Sequence, residues 1–570
     1  MQIFLILISS LIVFLFFLFP ITDFDVWFHL AGGKFMIENW QFPRTEIFSY
    51  TAYGNPWHLN SWGFDALSYS VFKLFGLDSL NILKALVSLL VFLLIIFYLR
   101  KRKTLNLFSL LFVVLALFSI RQHFSLRPHT FGYLIFVIFL ILLFKYRESK
   151  SYKWIFFLAL TQFIWVNLHS SFIWGVAFSG IFLASETFLN RKIRKKDLIL
   201  TSSVFFVSFL HIFYGYNYFL RIFKASLGLV KSPIIEHLPP TPETFISLMG
   251  LVLLSLFLVI YFSYREKRFD ILLMTAFLAL VALTNARFLR DLVLFLCLVA
   301  PPYFQKASLS KFNPRIPKTV LSSFYFILLF GLFLAAKNSP LGIGLGLKKF
   351  TYPVKAVEFI KHERLLEESN GQLYNTYNFG GYLLWTMYPH KIFIDGRMQL
   401  YTGEIFNNYW NNFEGGDIWK ETVEKYNITL ALMTLPHTDG KKVYNDSSKM
   451  FPKEDWALVY YNDVCMIYVR RIDSLRDFTE EYEYKIINPQ AMDFSYFQEQ
   501  IKSQEDFENV LKEIKRGLEI NPESYRLHFT LSYLYSLVGA EKEMLEELNK
   551  TLKINPYFKA AQEIFEEYRP

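Results

Sequence analysis

Charge is scarce in this sequence: 19% of its 570 residues are Asp, Glu, Lys or Arg, while 53% are hydrophobic and 63 are Phe. That balance excludes an ordinary soluble enzyme of this size and points to a chain that crosses a bilayer many times. Cysteine is almost missing. Cys297 lies in an apolar run and Cys465 in a polar C-terminal part, so the two suggest no bridge and say little about compartment. The first apolar run, Ile3 to Phe19, has neither a basic leader nor a small-residue cleavage site and reads as an uncleaved signal-anchor helix. A nucleic-acid footprint is also lacking. The formal charge of +10 comes from short Lys and Arg clusters between apolar runs, which is the pattern of topology signals.

What is abundant is apolar length. After the first run, Asp65 to Leu99 breaks at Gly76-Leu77-Asp78 into a short surface helix and a span from Leu80 to Leu99. Further runs follow at 105–120, 130–144, 154–168, 172–189, 198–214, 245–262, 271–284, 292–304 and 320–336, giving about eleven transmembrane helices. The connections Arg100 to Lys103, Lys145 to Lys153, Arg191 to Lys196, Arg265 to Arg268 and Lys306 to Lys318 are basic and alternate with less basic ones. Every second connection is therefore cytoplasmic. This places the N-terminus inside, and puts both the loop Thr22 to Trp62 and the tail from Lys337 on the extracytoplasmic side.

The tail opens on the glycine-rich stretch Pro340 to Gly346, and its composition then changes sharply. Short apolar runs at 391–394, 429–433 and 465–469 alternate with helical patterns and predict an extracytoplasmic α/β domain. Near the end, Gly517-Leu518-Glu519-Ile520-Asn521-Pro522 is echoed by Thr551-Leu552-Lys553-Ile554-Asn555-Pro556. The spacing matches the tetratricopeptide period of about 34 residues, with room for about one full repeat and flanking helices. Such a segment packs on the preceding domain or binds a protein partner; a helical cap without a partner is the plain alternative. The expected organisation is a transmembrane domain over 1–336 with an outer loop at 21–64, an α/β domain over 337–475, and tetratricopeptide-like helices over 476–570.

Chemistry is expected in Thr22 to Trp62, because acidic side chains beside a bilayer are costly unless they face water, a cation or a substrate. Asp23-Phe24-Asp25-Val26-Trp27-Phe28-His29 puts two carboxylates and an imidazole within a turn or two. They suit a general base, or Asp23 and Asp25 can share a divalent cation such as Mg or Mn; helix capping is the bland alternative. His29 is a substrate-binding or a core histidine. Glu46 completes an acidic site or pairs on the surface with Arg44 or Lys34. Trp27, Trp40, Trp57 and Trp62 suit an interfacial belt or sugar stacking. Arg121, Arg127, Arg287 and Arg290 fall on the outer side, where basic residues should be few; an anionic lipid phosphate explains them, as does snorkelling to headgroups. His169, in Asn167 to Ser171, bonds a substrate or neighbouring helices. In the tail, Asp395 and Arg397 follow a strand end, where ligands often bind, and an Asp–Arg pair fixing a turn is the alternative. Gly380-Gly381 lacks the lysine and hydroxyl residue of a phosphate loop.

With these residues placed, the chain resembles bacterial membrane glycosyltransferases of the GT-C class, related in architecture to oligosaccharyltransferases and protein mannosyltransferases. The resemblance rests on Asp23 to Leu30, on Pro43 to Trp62 and on Arg127-Pro128, with Asn375 to Arg397 opening an outer domain and tetratricopeptide helices closing the chain. It implies a polyprenyl-phosphate-linked sugar donor, transfer at the outer face of a bacterial inner membrane, and a first-loop Asp as base or metal ligand. The acceptor, whether protein, lipid or glycan, is left open. No Trp-Trp-Asp-type tail motif of the oligosaccharyltransferases is present, which weakens a specific assignment to asparagine glycosylation. The rival reading is a non-enzymatic envelope scaffold or a transporter of lipid-linked glycans. A transporter should show inverted repeats and midplane charges, and neither is seen.

Overall fold

The computed structural model describes residues 2–226, 242–307, 318–401, 403–438, 443–444, 446–490 and 495–568. The chain divides into two compact units: Met1–Phe42 with Leu59–Lys348, and Pro43–His58 with Lys349–Pro570. The opening loop is thus shared out. Its acidic start stays with the apolar helices, whereas Pro43–His58 folds with the tail.

The first unit is helical: α1 (Gln2–Phe17), α2 (Val26–Asn39), α3 (Trp62–Phe75), α4 (Asp78–Lys101), α5 (Leu107–Ser119), α6 (Pro128–Ser149) and α7 (Tyr152–Leu168) come first. They are followed by α8 (Ile173–Asn190), α9 (Lys195–Val207), α10 (Gly215–Ser226), α11 (Pro242–Arg265), α12 (Phe269–Thr284), α13 (Leu289–Lys306) and α14 (Lys318–Lys337). Every expected apolar segment carries a helix, but the one at 198–214 is helical only to Val207. Among the described residues, however, only α4, α6, α8, α13 and α14, two of them counted with their preceding turns, are long and apolar enough to cross a membrane singly. The helices α1, α5 and α12 and the part of α11 from Val252 are apolar but shorter. By length and composition, these helices are those of an integral membrane protein.

The expected break after α3 is real: Gly76 has φ +77°, in the left-handed region that glycine adopts without strain. At one end of the unit the basic connections are tied down by buried acids. Lys150 lies 2.9 Å from both Glu186 and Asp197, and Arg147 and Arg268 both reach Asp270, at 3.1 and 2.9 Å. Of the basic connection Lys306 to Lys318, residues 308–317 lie outside the described residues.

At the other end Arg121, expected at a phosphate, is engaged by the protein itself. Its guanidinium donates to the carbonyls of Phe16, Ala336 and Gly342 and to Ser339 Oγ, tying the end of α1 to the end of α14. Both helix C-termini leave carbonyls without intrahelical partners, so a buried guanidinium fits there. Lys84, equally buried, donates to the Phe19 carbonyl at 2.7 Å.

The second unit carries a four-stranded sheet in the order β1 (Gln372–Asn375), β2 (Ile428–Thr434), β6 (Cys465–Arg470), β5 (Trp456–Tyr461), with β3 (His437–Thr438) and β4 (Val443–Tyr444) as a separate pair. β1 and β2 are parallel and joined through α17 (Tyr377–Thr386), α18 (Gly403–Asn411) and α19 (Gly416–Tyr426), as a parallel pair requires; the β2–β6 and β6–β5 pairs are antiparallel. Two shorter helices, α15 (Val354–His362) and α16 (Leu365–Ser369), precede β1. The run at 391–394 is not a ladder strand: Ile392 pairs with Ser49 in an isolated parallel bridge. Gly380 lets α17 approach that run, since a Cβ there would stand 1.9 Å from the Ile394 carbonyl.

After β6 come α20 (Arg476–Tyr482), α21 (Ser495–Gln500), α22 (Gln504–Ile520), α23 (Tyr525–Leu537), α24 (Glu541–Ile554) and α25 (Lys559–Glu567). The two Asn-Pro echoes sit at the ends of α22 and α24. Asn521 accepts from Tyr460 on β5 at 2.8 Å, and Asp463 accepts from the first backbone N–H groups of α23. The helices are therefore fastened to the sheet.

Glu46 joins the two parts of this unit. Its carboxylate accepts from the Phe48 and Ser49 N–H groups at 2.7 and 2.8 Å and from two Arg397 nitrogens at 2.7 and 3.0 Å. Arg397 also binds Asp395, which accepts in turn from Tyr401, and its guanidinium carbon lies 4.7 Å from the centre of the Trp57 ring. All three charged side chains are at most 2% exposed. Burial opposes the Arg397 charge, but Asp395 and Glu46 outweigh it and hold its pKa above the ordinary value. Removing one partner from such a network leaves buried charge uncompensated. Arg397→Met should accordingly cost about 3–5 kcal/mol, read as a large drop in the thermal unfolding temperature of the detergent-solubilised protein.

Candidate active site

The acidic motif is built by a turn and two helix starts. Asp23 accepts from the Asp25 N–H at 2.9 Å, an Asx turn that leads into α2. Asp25 holds the N-cap position but makes no capping bond with its side chain. Both carboxylates turn to one cation: Arg127 Nε meets Asp23, and Arg127 Nη2 lies 3.2 Å from Asp25. The local sequence explains where Arg127 stands. A residue before proline favours extended backbone, and proline favours the first position of a helix. Arg127, at φ −135°, caps α6, with Pro128 in its first turn. Asp25 is the more open acid, 28% exposed against 8% for Asp23.

One turn into α2, His29 Nδ1 lies 2.6 Å from Asp65 Oδ1 on α3, with the edge of Phe64 against the ring. Asp65 is buried; burial raises its carboxyl pKa, and His29 acts against that rise. With Nδ1 donating to the carboxylate, Nε2 of the neutral ring is a proton acceptor. This is the arrangement of a base held by an orienting acid.

Around this core stand further polar groups of the same helix end. His169 Nδ1 accepts from the Ser171 N–H at 3.1 Å, and its ring centre lies 6.3 Å from that of His129. Burial, with Arg287 nearby, lowers the His169 pKa well below the usual range, so a neutral ring offers Nε2–H as a donor. Gly132 makes the room, since a Cβ there would stand 2.9 Å from Ser171 Oγ and 3.0 Å from His169 Nδ1. Arg290 is 6% exposed and reaches Tyr133 OH at 3.4 Å, while its Nε has no hydrogen-bond partner among the described residues. Burial and Arg290 push the His123 pKa down to about 3. Arg287 lies in the turn Ala286–Phe288 before α13, where its N–H donates to Asn285 Oδ1 at 3.1 Å.

The structure thus brings Asp23, Asp25, His29, Arg127, His169, Arg287 and Arg290 into one unit, at the connections of one helix end. Glu46, Asp395 and Arg397 belong to the other unit and bind one another, and Arg121 is held by main-chain carbonyls. Of the four tryptophans, Trp27 and Trp57 are buried and Trp40 is 91% exposed. Sequence reasoning missed Asp65 and His123. An acid in the first turn of α3 was the available signal for the first; the second carried none. No group of three or more His, Cys, Asp or Glu that could hold a metal converges among the described residues. Two carboxylates are the protein share that a hard cation takes when substrate phosphates complete its shell, though Arg127 already bridges this pair.

α2 and α3 touch closely at Gly33, where a Cβ would stand 2.1 Å from the Asp65 carbonyl. Gly33→Ala should destabilise the protein by about 1–3 kcal/mol and displace the Asp65 that holds His29. Thermal unfolding checks it against Gly180→Ala, where nothing lies within 4 Å and no loss is expected.

No family model matches the chain, and no curated protein is similar to it in sequence. Solved structures do match. The archaeal oligosaccharyltransferase AglB from Archaeoglobus fulgidus, in complex with an inhibitory peptide and a dolichol-phosphate, aligns with a TM-score of 0.57 at 10% identity, over 95% of this chain and 86% of that one. The Archaeoglobus fulgidus oligosaccharyltransferase in its apo form aligns with a TM-score of 0.52 at 13% identity, over 76% of this chain and 69% of that one. The chain therefore shares the fold of an oligosaccharyltransferase, a GT-C class enzyme.

Proposed function

We propose that the protein is a membrane glycosyltransferase that moves a sugar or glycan from a polyprenyl-phosphate-linked donor to an acceptor at the extracytoplasmic face, with inversion at the anomeric carbon. One observation carries the reading: two carboxylates, an oriented imidazole and several arginines gather at one helix end of a chain with the oligosaccharyltransferase fold. The archaeal structure with bound dolichol-phosphate supports a lipid-phosphate donor of the same chemical class.

In this mechanism Asp25 faces the acceptor and removes its proton, Asp23 fixes the turn that presents Asp25, and His29, held by Asp65, is a second proton acceptor one turn away. Arg127, Arg287 and Arg290 hold the phosphate. As the sugar–phosphate bond breaks, the departing lipid phosphate gains charge, so fixed guanidinium groups stabilise the transition state more than the ground state. His169 donates from Nε2 to a substrate oxygen. A divalent cation, where present, would be held by Asp23 and Asp25 with donor oxygens and would supply Lewis-acid charge at the phosphate. The basic helix end then faces the cytoplasm of a bacterial inner membrane, and the second unit lies outside.

Loss of a general base lowers rates about 10²–10⁴-fold. Asp25→Asn should lose at least that factor in transfer from polyprenyl-linked sugars while keeping the wild-type circular dichroism spectrum. His29→Gln should lose less, because the carboxylate remains. Wild-type turnover in Asp25→Asn would refute the assignment, and a larger loss in His29→Gln would move the base to the histidine.

A further inference from the structure

The second unit contains a cavity of about 470 Å³, within the roughly 300–1,000 Å³ typical of ligand sites. α23 supplies Arg526, Phe529 and Tyr533 to its wall, α25 supplies Ile564, and the end of β5 supplies Tyr461. Two donors on this wall lack partners among the described residues: the Tyr461 hydroxyl, on a side chain 3% exposed, and Arg526 Nε are buried without a hydrogen bond there. Buried donors left unmade are costly, and the native exceptions call for an explanation such as an absent ligand. Glu563, also on the lining, is exposed.

The geometry points to this cavity as a docking site for an extended peptide of a partner protein, one that places a bulky apolar residue beside an acidic one. The apolar side chain enters between Phe529 and Ile564, and the neighbouring carboxylate accepts from Arg526 and Tyr461, a charge-assisted contact suited to a guanidinium fork. The alternation of apolar and acidic groups at residue spacing is what a peptide offers. A neutral sugar has neither the apolar bulk nor the charge. The inference stands on the cavity alone and is independent of the transfer reaction.

The test is selection from a random linear dodecapeptide phage library on the full-length protein in lipid nanodiscs, with empty nanodiscs as the counter-selection. Enriched peptides should pair an aromatic or aliphatic residue with Asp or Glu, and synthetic copies should bind at least ten-fold more weakly to Arg526→Gln. Tyr461→Phe removes a hydroxyl with no hydrogen-bond partner among the described residues, so it should leave thermal unfolding unchanged and weaken peptide binding. Failure to enrich any peptide, enrichment of peptides without an acidic residue, or undiminished affinity in Arg526→Gln overturns the proposal.

Discussion

Asp23 and Asp25 can stand at the end of an apolar helix because Arg127 stands against both. An ion beside a bilayer must face water or a partner, and this constraint orders the first unit. At one helix end the acids Glu186, Asp197 and Asp270 answer Lys150, Arg147 and Arg268. At the other, Arg121 and Lys84 are answered by main-chain carbonyls, and Arg127 by the acidic turn. The difference between the ends lies in the acids: Glu186, Asp197 and Asp270 are at most 9% exposed, whereas Asp25 is 28% exposed. Reactive groups are to be expected where charges are assembled but not closed off.

The second unit shows the same constraint fully closed. Glu46, Asp395 and Arg397 leave little for a substrate to take, since Nε, Nη1 and Nη2 of Arg397 all donate to the two carboxylates and aromatic rings cover it. Their work is to fasten Pro43–His58 to the tail. A stretch that reads as one acidic loop therefore serves two units, with catalysis proposed for its beginning and assembly for its middle.

What could be read in advance follows from the range of the signal. Apolar runs and the glycine after α3 are local, so the helices and the break at Gly76 were legible, as were β2 and β6 from short apolar runs. Bilayer crossing is harder: α5, with 13 residues, shows that an apolar helix can be too short to span by itself. The site was legible in its local part, Asp23 to His29 and Arg127-Pro128. Pairings between distant residues were not. Glu46 and Arg397 are 351 residues apart, and nothing local in either predicts the other. Asp65 was hidden for a related reason, since its partner His29 lies 36 residues earlier on another helix.

The most direct test of the account is where a lipid phosphate rests. A polyprenyl phosphate carrying a diazirine next to its phosphate can be photolysed with the protein in nanodiscs and the labelled peptides mapped by mass spectrometry. The account predicts label in peptides bearing Asp23 to His29, Arg127 to His129 and Arg287 to Arg290, competed by unlabelled polyprenyl phosphate. Competable label confined to the opposite helix end, around Arg147 and Lys150, or to peptides of the second unit around Arg397, would contradict it.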